Sequence, residues 1–176
     1  YIGTTLDGSA TISNTRQGIY INNSPATRIG GSNATPSGNC TGACNLISGN
    51  GEDGIAVSGS DALSTTISGN YLGTTLDGDT ILGNGSAGVS LFGNSAYTRI
   101  GGSTPAQRNV IGGSTYQGIF IYERSSYNTL SGNAIGVGAD GAAAIGNLGV
   151  GVLIDDGSAH NLVSDNLIAN NGSVGI

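Results

Sequence analysis

The chain has few charges, and cationic side chains are the scarcest of them. Only 9% of its 176 residues are charged; lysine is absent, and five arginines against eleven acidic residues leave a net charge of −6. So few and scattered cations do not assemble a basic patch. Binding to the phosphate backbone of a nucleic acid is therefore not expected.

Long apolar runs are also missing, although 37% of the residues are hydrophobic. No stretch approaches the roughly 18 consecutive apolar residues that a membrane-spanning helix requires. The first residues do not show the charged and then apolar pattern of a leader peptide. We expect no insertion into a membrane.

What the sequence has in excess is glycine and repetition. It holds 33 glycines, and the octapeptide YIGTTLDG at residues 1–8 returns as YLGTTLDG at residues 71–78. The pentapeptide TRIGG likewise occurs at residues 27–31 and again at 98–102. Internal repetition of this kind is typical of solenoid proteins.

A shorter cycle runs inside the long repeat. Each cycle has a glycine followed by apolar, variable and apolar residues, then a second short apolar run, then a third run that opens with asparagine. The glycines are Gly18, Gly54, Gly88, Gly118 and Gly151, and the second runs centre on Ile29, Ile67, Ile100, Leu130 and Val163. Three strand-length runs per cycle, without helical periodicity, predict an all-β fold: a single parallel β-helix solenoid of about five to six coils with three short strands per coil.

The third run of each cycle predicts an asparagine ladder. Its opening residues are Asn45, Asn70, Asn109, Asn133 and Asn166. At a shared corner of stacked coils, their amides are expected to bond to the backbone and to one another. A polar binding stripe is the alternative interpretation.

The pattern makes residues 1–176 one elongated domain. The cycle is already under way at Tyr1, and Gly175 and Ile176 begin a strand. Uncapped solenoid ends expose strand edges and apolar core. We therefore expect a segment of a longer repetitive protein, whose partners are neighbouring β-helix coils or further copies stacked end to end.

The two cysteines lie in the one stretch that breaks the alignment of the repeats. Twelve residues separate Ser32 from Asn45, where the second unit has five between Ser103 and Asn109. Cys40 and Cys44 in this Gly/Pro/Ser-containing loop predict a disulfide, with free thiols and a metal site as the alternatives. A disulfide indicates an oxidising compartment, and hence an extracellular or cell-surface location.

Several sequons agree with that location. The candidate glycosylation sites are Asn22, Asn33, Asn39, Asn84 and Asn171. Most of them fall in predicted loops, where a glycan has room. A chain this rich in asparagine, serine and threonine also acquires sequons by chance.

The carboxylates do not form an evident catalytic pair. Glycoside hydrolysis needs two or three carboxylates on one face, and the candidates are Asp155, Asp156, Asp165, Glu52 and Asp53. The first two stand in DDGS, which favours a turn. Lyase chemistry needs a cation beside an acidic cluster, and the arginines of the two TRIGG copies have no carboxylate at matching positions. We expect no catalytic residues.

Other titratable residues are also better explained by turns. The single histidine, His160, has no identifiable nucleophile or fixed carboxylate beside it and is expected to lie in a solvated turn. Asp7, Asp77 and Asp140 each precede glycine, which is the signature of a tight hairpin turn, with calcium binding as the alternative. We expect no metal site and no cofactor.

The N-x-I-x-G-N, G-I-x-I and N-x-I-G segments cover almost the whole chain and resemble the right-handed parallel β-helix repeat proteins. That broad group includes pectate-lyase-like folds and the NosD-like repeats of surface and periplasmic proteins. The resemblance implies right-handed coils. The chain lacks the G-H-G and R-I-K elements of polygalacturonases and the basic residues of the lyases, so no catalytic residue is transferred to any position.

These observations favour a non-catalytic structural repeat of an extracellular fibre, stalk or surface-layer filament. A carbohydrate-active β-helix is the alternative, and its groove would be lined by Asp155, Asp156 and Asp165. A glycan-binding adhesin module is a further alternative. Its stacking platform would be formed by the outward aromatic residues Tyr20, Phe120, Tyr122 and Tyr127.

Overall fold

A computed structural model describes residues 1–31 and 38–176. These residues form fifteen short strands and one 3-10 helix, Pro105–Gln107. The strands belong to three five-stranded sheets. Sheet 1 consists of β1 (Ile19–Asn22), β4 (Ile55–Ser58), β7 (Val89–Phe92), β10 (Ile119–Ile121) and β13 (Val152–Ile154). Sheet 2 consists of β2 (Arg28–Gly30), β5 (Thr66–Ser68), β8 (Arg99–Gly101), β11 (Thr129–Ser131) and β14 (Leu162–Ser164). Sheet 3 consists of β3 (Leu46–Ile47), β6 (Tyr71–Leu72), β9 (Val110–Ile111), β12 (Ala134–Ile135) and β15 (Leu167–Ile168).

The chain visits the three sheets in turn, so that three consecutive strands make one coil. All strand pairs are parallel; for example, Ile19 pairs with Ile55 and Ile29 pairs with Ile67. Ile2 bridges to Ile47 and adds one residue of a preceding coil to sheet 3. The predicted parallel β-helix with three strands per coil is confirmed.

Columns of like aliphatic side chains fill the interior. In sheet 1 the inward column includes Ile55, Val89, Ile119 and Val152, each 0% exposed. The β-branched side chains pack well on a pleated surface, and parallel coils place them above one another about 4.8 Å apart. One apolar core therefore runs along the axis of the solenoid.

Sheet 3 carries a second apolar layer on its outer face. Leu46, Tyr71 and Val110 are neighbours in its strands, and they pack in a cluster with Cys40, Ala139 and Ile145. Part of the cover comes from hairpins in the connections that follow sheet 3. Their antiparallel bridges join Thr4 to Thr11, Thr74 to Ile81 and Val137 to Ala144.

The last residue of β2 and of β8 explains why the first glycine of TRIGG is repeated. Gly30 and Gly101 have φ of +79° and +89°. A Cβ atom would lie 2.2 Å from the Ser68 carbonyl oxygen at Gly30 and 2.0 Å from the Ser131 oxygen at Gly101. Only glycine combines this backbone conformation with such a close approach of the next coil.

Candidate functional site

The five predicted ladder asparagines form a continuous chain of side-chain hydrogen bonds. Each Nδ2 donates to the Oδ1 of the asparagine in the next coil, at 2.9, 3.2, 2.9 and 2.9 Å from Asn45 to Asn166. Most of them also donate to the coil behind: Asn109 Nδ2 donates to Ile67 O at 2.9 Å. The side-chain amides of the five asparagines thus bond within the protein, and the interpretation of these residues as a polar binding stripe is wrong.

A second asparagine ladder lies at the corner before sheet 1. Asn14 donates to Asn50 and Asn50 donates to Asn84, both at 2.9 Å. Ser114 takes the next place, and its backbone nitrogen donates to Asn147 Oδ1 at 3.1 Å. Its buried hydroxyl has no hydrogen-bond partner among the residues that the structure describes. This second ladder was not predicted, although its members all stand four residues before a glycine of the sheet 1 pattern. They are Asn14, Asn50, Asn84, Ser114, Asn147 and Asn171.

Two of the five sequons belong to this second ladder. Asn84 is 1% exposed and its Nδ2 donates to Ile47 O, while Asn171 Nδ2 donates to Ala169 O at 3.1 Å and to Ile135 O at 3.3 Å. Since a glycan would replace one of the amide hydrogens, the structure argues against both as acceptors in the folded chain. Asn22 and Asn39 are exposed, and they stay predictions. Asn33 lies outside the described residues.

Cys40 and Cys44 form the predicted disulfide. The alternatives of free thiols and of a metal site at these residues are therefore wrong. Cys40 is 8% exposed and its backbone nitrogen donates to Leu76 O at 2.9 Å. The cysteine loop, Cys40–Cys44, thus contacts the hairpin of the next coil and contributes to the outer layer on sheet 3.

The candidate catalytic carboxylates do not converge. Asp155 Oδ1 accepts a bond from the backbone nitrogen of Asp156 at 2.7 Å, in the exposed turn predicted from DDGS. Asp156 lines a small concavity with Glu123 and Arg124, whereas Asp165 lines a different one on sheet 2. Of the other candidates, Glu52 pairs with Arg16 at 3.5 Å and Asp53 accepts from the Ala87 backbone nitrogen.

The three Asp-Gly aspartates stabilise hairpin turns, as predicted. Asp77 Oδ1 accepts from the backbone nitrogen of Asp79 at 2.9 Å and from the Thr75 hydroxyl at 2.7 Å. These bonds hold the pKa of Asp77 below its usual value, and similar bonds lower the pKa of Asp7 and Asp140. A general acid needs the opposite shift.

His160 lies in an exposed turn, as predicted, but it takes part in an aromatic stack. Its ring stacks on Tyr127 at 4.8 Å, and Tyr127 stacks on Tyr97 at 5.5 Å. All three residues have positive φ, between 57° and 60°. The smaller residues Ala26 and Ser64 occupy the same corner in the first two coils, with φ of 54° and 61°.

A separate aromatic group lies on the outside of sheet 1. Phe120 stacks on Tyr122 at 4.2 Å, and Tyr122 stacks on Phe92 at 5.2 Å. Burial, and then the charge of Asp53, raise the pKa of Tyr122 to about 12. Tyr127 is not part of this group, so the predicted platform of four aromatic residues is divided between two places.

Within residues 1–31 and 38–176, no second layer covers the outer face of sheet 2. Shallow concavities lie along it, the largest with a volume of about 710 Å³ and lined by Arg28, Arg99, Thr66 and Thr129 among others. A neighbouring concavity is lined by Arg108 and Ser131. Three of the five arginines thus share one face, and the expectation that the cations stay scattered is wrong.

No group of three or more histidine, cysteine, aspartate or glutamate side chains in residues 1–31 and 38–176 could hold a metal ion. No helix in the same part of the chain is long and apolar enough to cross a membrane.

A known protein family matches nearly the whole chain. The model of the family described as periplasmic copper-binding protein (NosD) matches residues 3–176. No curated protein and no solved structure shows a significant match to the chain.

Proposed function

The chain belongs to the NosD family of right-handed β-helix proteins, and on that premise we propose that it is a non-catalytic structural segment of an extracytoplasmic rod or filament. The observation that carries the proposal is the unbroken parallel register of all three sheets. A uniform solenoid of this kind transmits its geometry from coil to coil and forms a stiff, elongated body.

The copper in the family's description does not fit the residues of this chain. Copper sites in proteins use imidazole, thiolate and thioether ligands. The chain has one histidine and no methionine, and both cysteines are in the disulfide. His160 therefore supplies the only imidazole of the chain, and its ring stacks against Tyr127. We therefore assign no copper-dependent step to it.

Two features support a structural role over catalysis. The polar side chains that recur from coil to coil form ladders whose hydrogen bonds lie within the protein. The candidate carboxylates are spread over separate surfaces, and the lowered pKa values of Asp7, Asp77 and Asp140 do not suit a general acid. The disulfide and the periplasmic character of the family support a location outside the cytoplasm.

Stacking of further coils is the assembly that we propose. Ile154, Val163 and Ile168 in the fifth coil are only partly buried, unlike their counterparts in the central coils. β14 and β15 are edge strands of sheets 2 and 3, and the backbone groups of an edge strand are templates for pairing with another chain. A second copy or a neighbouring β-helix would cover both the apolar and the polar groups.

Electron microscopy combined with sedimentation tests this assembly. We expect rods or filaments whose number rises with protein concentration, and Val163→Lys should shorten or abolish them. Ile81→Lys is the matched control, because Ile81 is 51% exposed and lies in a hairpin of a central coil, where it bridges to Thr74. A protein that remains monomeric at every concentration, or equal effects of the two variants, would refute the proposal.

A further inference from the structure

The outer face of sheet 2 forms a groove between two walls. The floor consists of outward residues of β2, β5, β8 and β11, including Arg28, Thr66, Arg99 and Thr129. One wall is the corner that carries Tyr97 and Tyr127, which line a concavity of about 440 Å³ with Arg99. The other wall is the connection from Gly102 to Arg108, which contains the 3-10 helix. The groove runs across the coils, along the axis of the solenoid.

The cations of the groove are free to meet an anionic ligand. Within the described residues the only ion pair joins Arg16 to Glu52, so Arg28, Arg99 and Arg108 are in no ion pair. Arg28 and Arg99 both pair in register with Thr66, and they are therefore two coil spacings, or about 10 Å, apart along the axis. An extended ligand along the groove would meet them in succession.

The rest of the lining suits sugar hydroxyls. Side-chain hydroxyls of Thr66, Thr129, Ser131 and Ser103 line the groove, and each can both donate and accept a hydrogen bond. Guanidinium groups bind carboxylates in a bidentate manner. A surface that combines the two is complementary to a polymer that carries both hydroxyls and spaced carboxylates.

The aromatic wall adds a stacking surface. Tyr97 and Tyr127 are 53% and 51% exposed, and the stack ends at Tyr97 because Ser64 holds the corresponding place in the coil before it. Positive φ is strained for bulky side chains, and strain of this type concentrates at functional sites. An aromatic ring beside arginines and hydroxyls is suited to the apolar face of a pyranose ring.

We propose that this groove binds an acidic polysaccharide, a chain of uronic acid residues lying along the axis of the solenoid. Arg28, Arg99 and Arg108 bind its carboxylates, the threonine and serine hydroxyls bind its sugar hydroxyls, and Tyr97 packs against a sugar ring. No bond is made or broken. This binding surface goes beyond the structural role proposed above, and it does not depend on assembly.

The spacing of the charges favours such a polymer over a nucleic acid. Duplex DNA carries one charge per roughly 1.7 Å of its axis, whereas the groove offers three arginines in a chain of net charge −6. Asp165 also lines the groove near Arg108, and closely spaced phosphates would be repelled by it. A polyuronate carries one carboxylate per sugar, so its charges are more widely spaced than those of a duplex, and each sugar also presents neutral hydroxyls to the groove.

Calorimetric titration of the whole chain with polygalacturonate oligosaccharides tests the proposal. We expect saturable binding that weakens as salt is raised, with Arg99→Ala about fivefold weaker and Arg28→Ala/Arg99→Ala weaker again by a similar factor. Arg16→Ala is the matched control: it makes the same change of net charge, but its side chain lies outside the groove and pairs with Glu52. It should bind like the unchanged protein.

Two further measurements test whether the arginines of the groove bind the carboxylates of the ligand. Asp165→Asn should bind the oligosaccharides about twofold or more tightly, and asparagine tolerates the positive φ of 57° at this residue. Fully methyl-esterified oligosaccharides of the same backbone should bind weakly or not at all. Equal losses in Arg99→Ala and Arg16→Ala, equal binding of the methyl ester, or tighter binding of a single-stranded oligonucleotide would each overturn the proposal.

Discussion

The outer faces of sheet 2 and sheet 3 differ, although the same coils build both. On sheet 3, Leu46, Tyr71 and Val110 are at most 1% exposed under the hairpins and the cysteine loop. On sheet 2 the corresponding outward residues include Arg28 and Arg99, which are exposed. The inward faces of both sheets belong to one apolar core. The difference lies in the described connections: the hairpins after β6 and β12 fold over sheet 3, whereas the connection from Gly102 to Arg108 flanks sheet 2.

The covered face of sheet 3 contributes to stability, whereas the open face of sheet 2 is available for recognition. A face buried under a second layer contributes apolar burial, about 25 cal/mol per Å², but offers nothing to a ligand. An open face contributes little to stability and leaves its arginines and hydroxyls available. We therefore expect substitutions on sheet 3 to affect unfolding and substitutions on sheet 2 to affect binding.

The largest expected effect is on the covered face. Tyr71→Ala removes a ring that is 1% exposed, together with the hydrogen bond from its hydroxyl to Gly38 O, and should lower the free energy of unfolding by about 3–5 kcal/mol. Thr129→Ala on the open face should change it by less than about 0.5 kcal/mol. Urea denaturation measures both. Similar losses would mean that the two faces do not differ in this way.

A smaller loss is expected at the corner between the two sheets. Asn109 is fully buried; its Nδ2 donates to Ile67 O and Asn133 Oδ1, and its Oδ1 accepts from Asn70. Asn109→Ala should cost about 2–3 kcal/mol, because several buried groups lose their partner. Asn14→Ala, at an exposed position of the second ladder, should cost less than about 1 kcal/mol. Hydrogen exchange should locate the loss of protection in sheets 2 and 3.

Removal of the disulfide should weaken only the covered face. For so short a loop, Cys40→Ala/Cys44→Ala should lower the free energy of unfolding by about 2 kcal/mol. Binding of acidic oligosaccharides to the sheet 2 groove should be unchanged. A parallel loss of oligosaccharide affinity would show that the cysteine loop also shapes the open face.

The smallest expected effect is the pH dependence of stability that the hairpin aspartates contribute. Hydrogen bonds from Asp79 and Thr75 lower the pKa of Asp77 below 3.8, so their stabilisation is present above pH 4 or so and is lost as pH falls through the lowered value. Because the carboxylate is largely solvated, the change in melting temperature should be small. Asp77→Asn should be less stable than the unchanged protein at neutral pH and should approach it on acidification. Thr75→Val should show an intermediate pH dependence.

The core and the first ladder were predictable because they repeat at short and regular spacing. The glycine and apolar pattern assigns Ile55 and Val89 to one column without knowledge of the fold. The second ladder was equally readable from its constant distance to the same glycines, and Ser114 interrupts it only once. Asn84 and Asn171 fit the sequon pattern, but their side-chain amides belong to this ladder.

The groove was not predictable, since it depends on stacking across coils. Arg28 and Arg99 are far apart in the sequence and come onto one face only when β2, β5 and β8 are paired in register. Arg108 reaches the same face through an irregular connection. The aromatic stack was not predictable either. Tyr97, Tyr127 and His160 lie outside the strands, and they come together only when the coils are stacked.

The hairpins over sheet 3 occur in alternate coils, and this limits how the protein can change in length. The hairpin at Gly78 touches the one two coils later, where the Ala139 nitrogen donates to Gly78 O at 3.2 Å. Loss or gain of a single coil would bring two hairpins into adjacent coils or leave a gap between them. Growth by duplication, or lengthening by design, should therefore proceed in steps of two coils, or about 10 Å of added length. The sequence repeats at this interval: YIGTTLDG at residue 1 returns as YLGTTLDG at residue 71, and AIGVGADG at residue 134 is a weaker third copy.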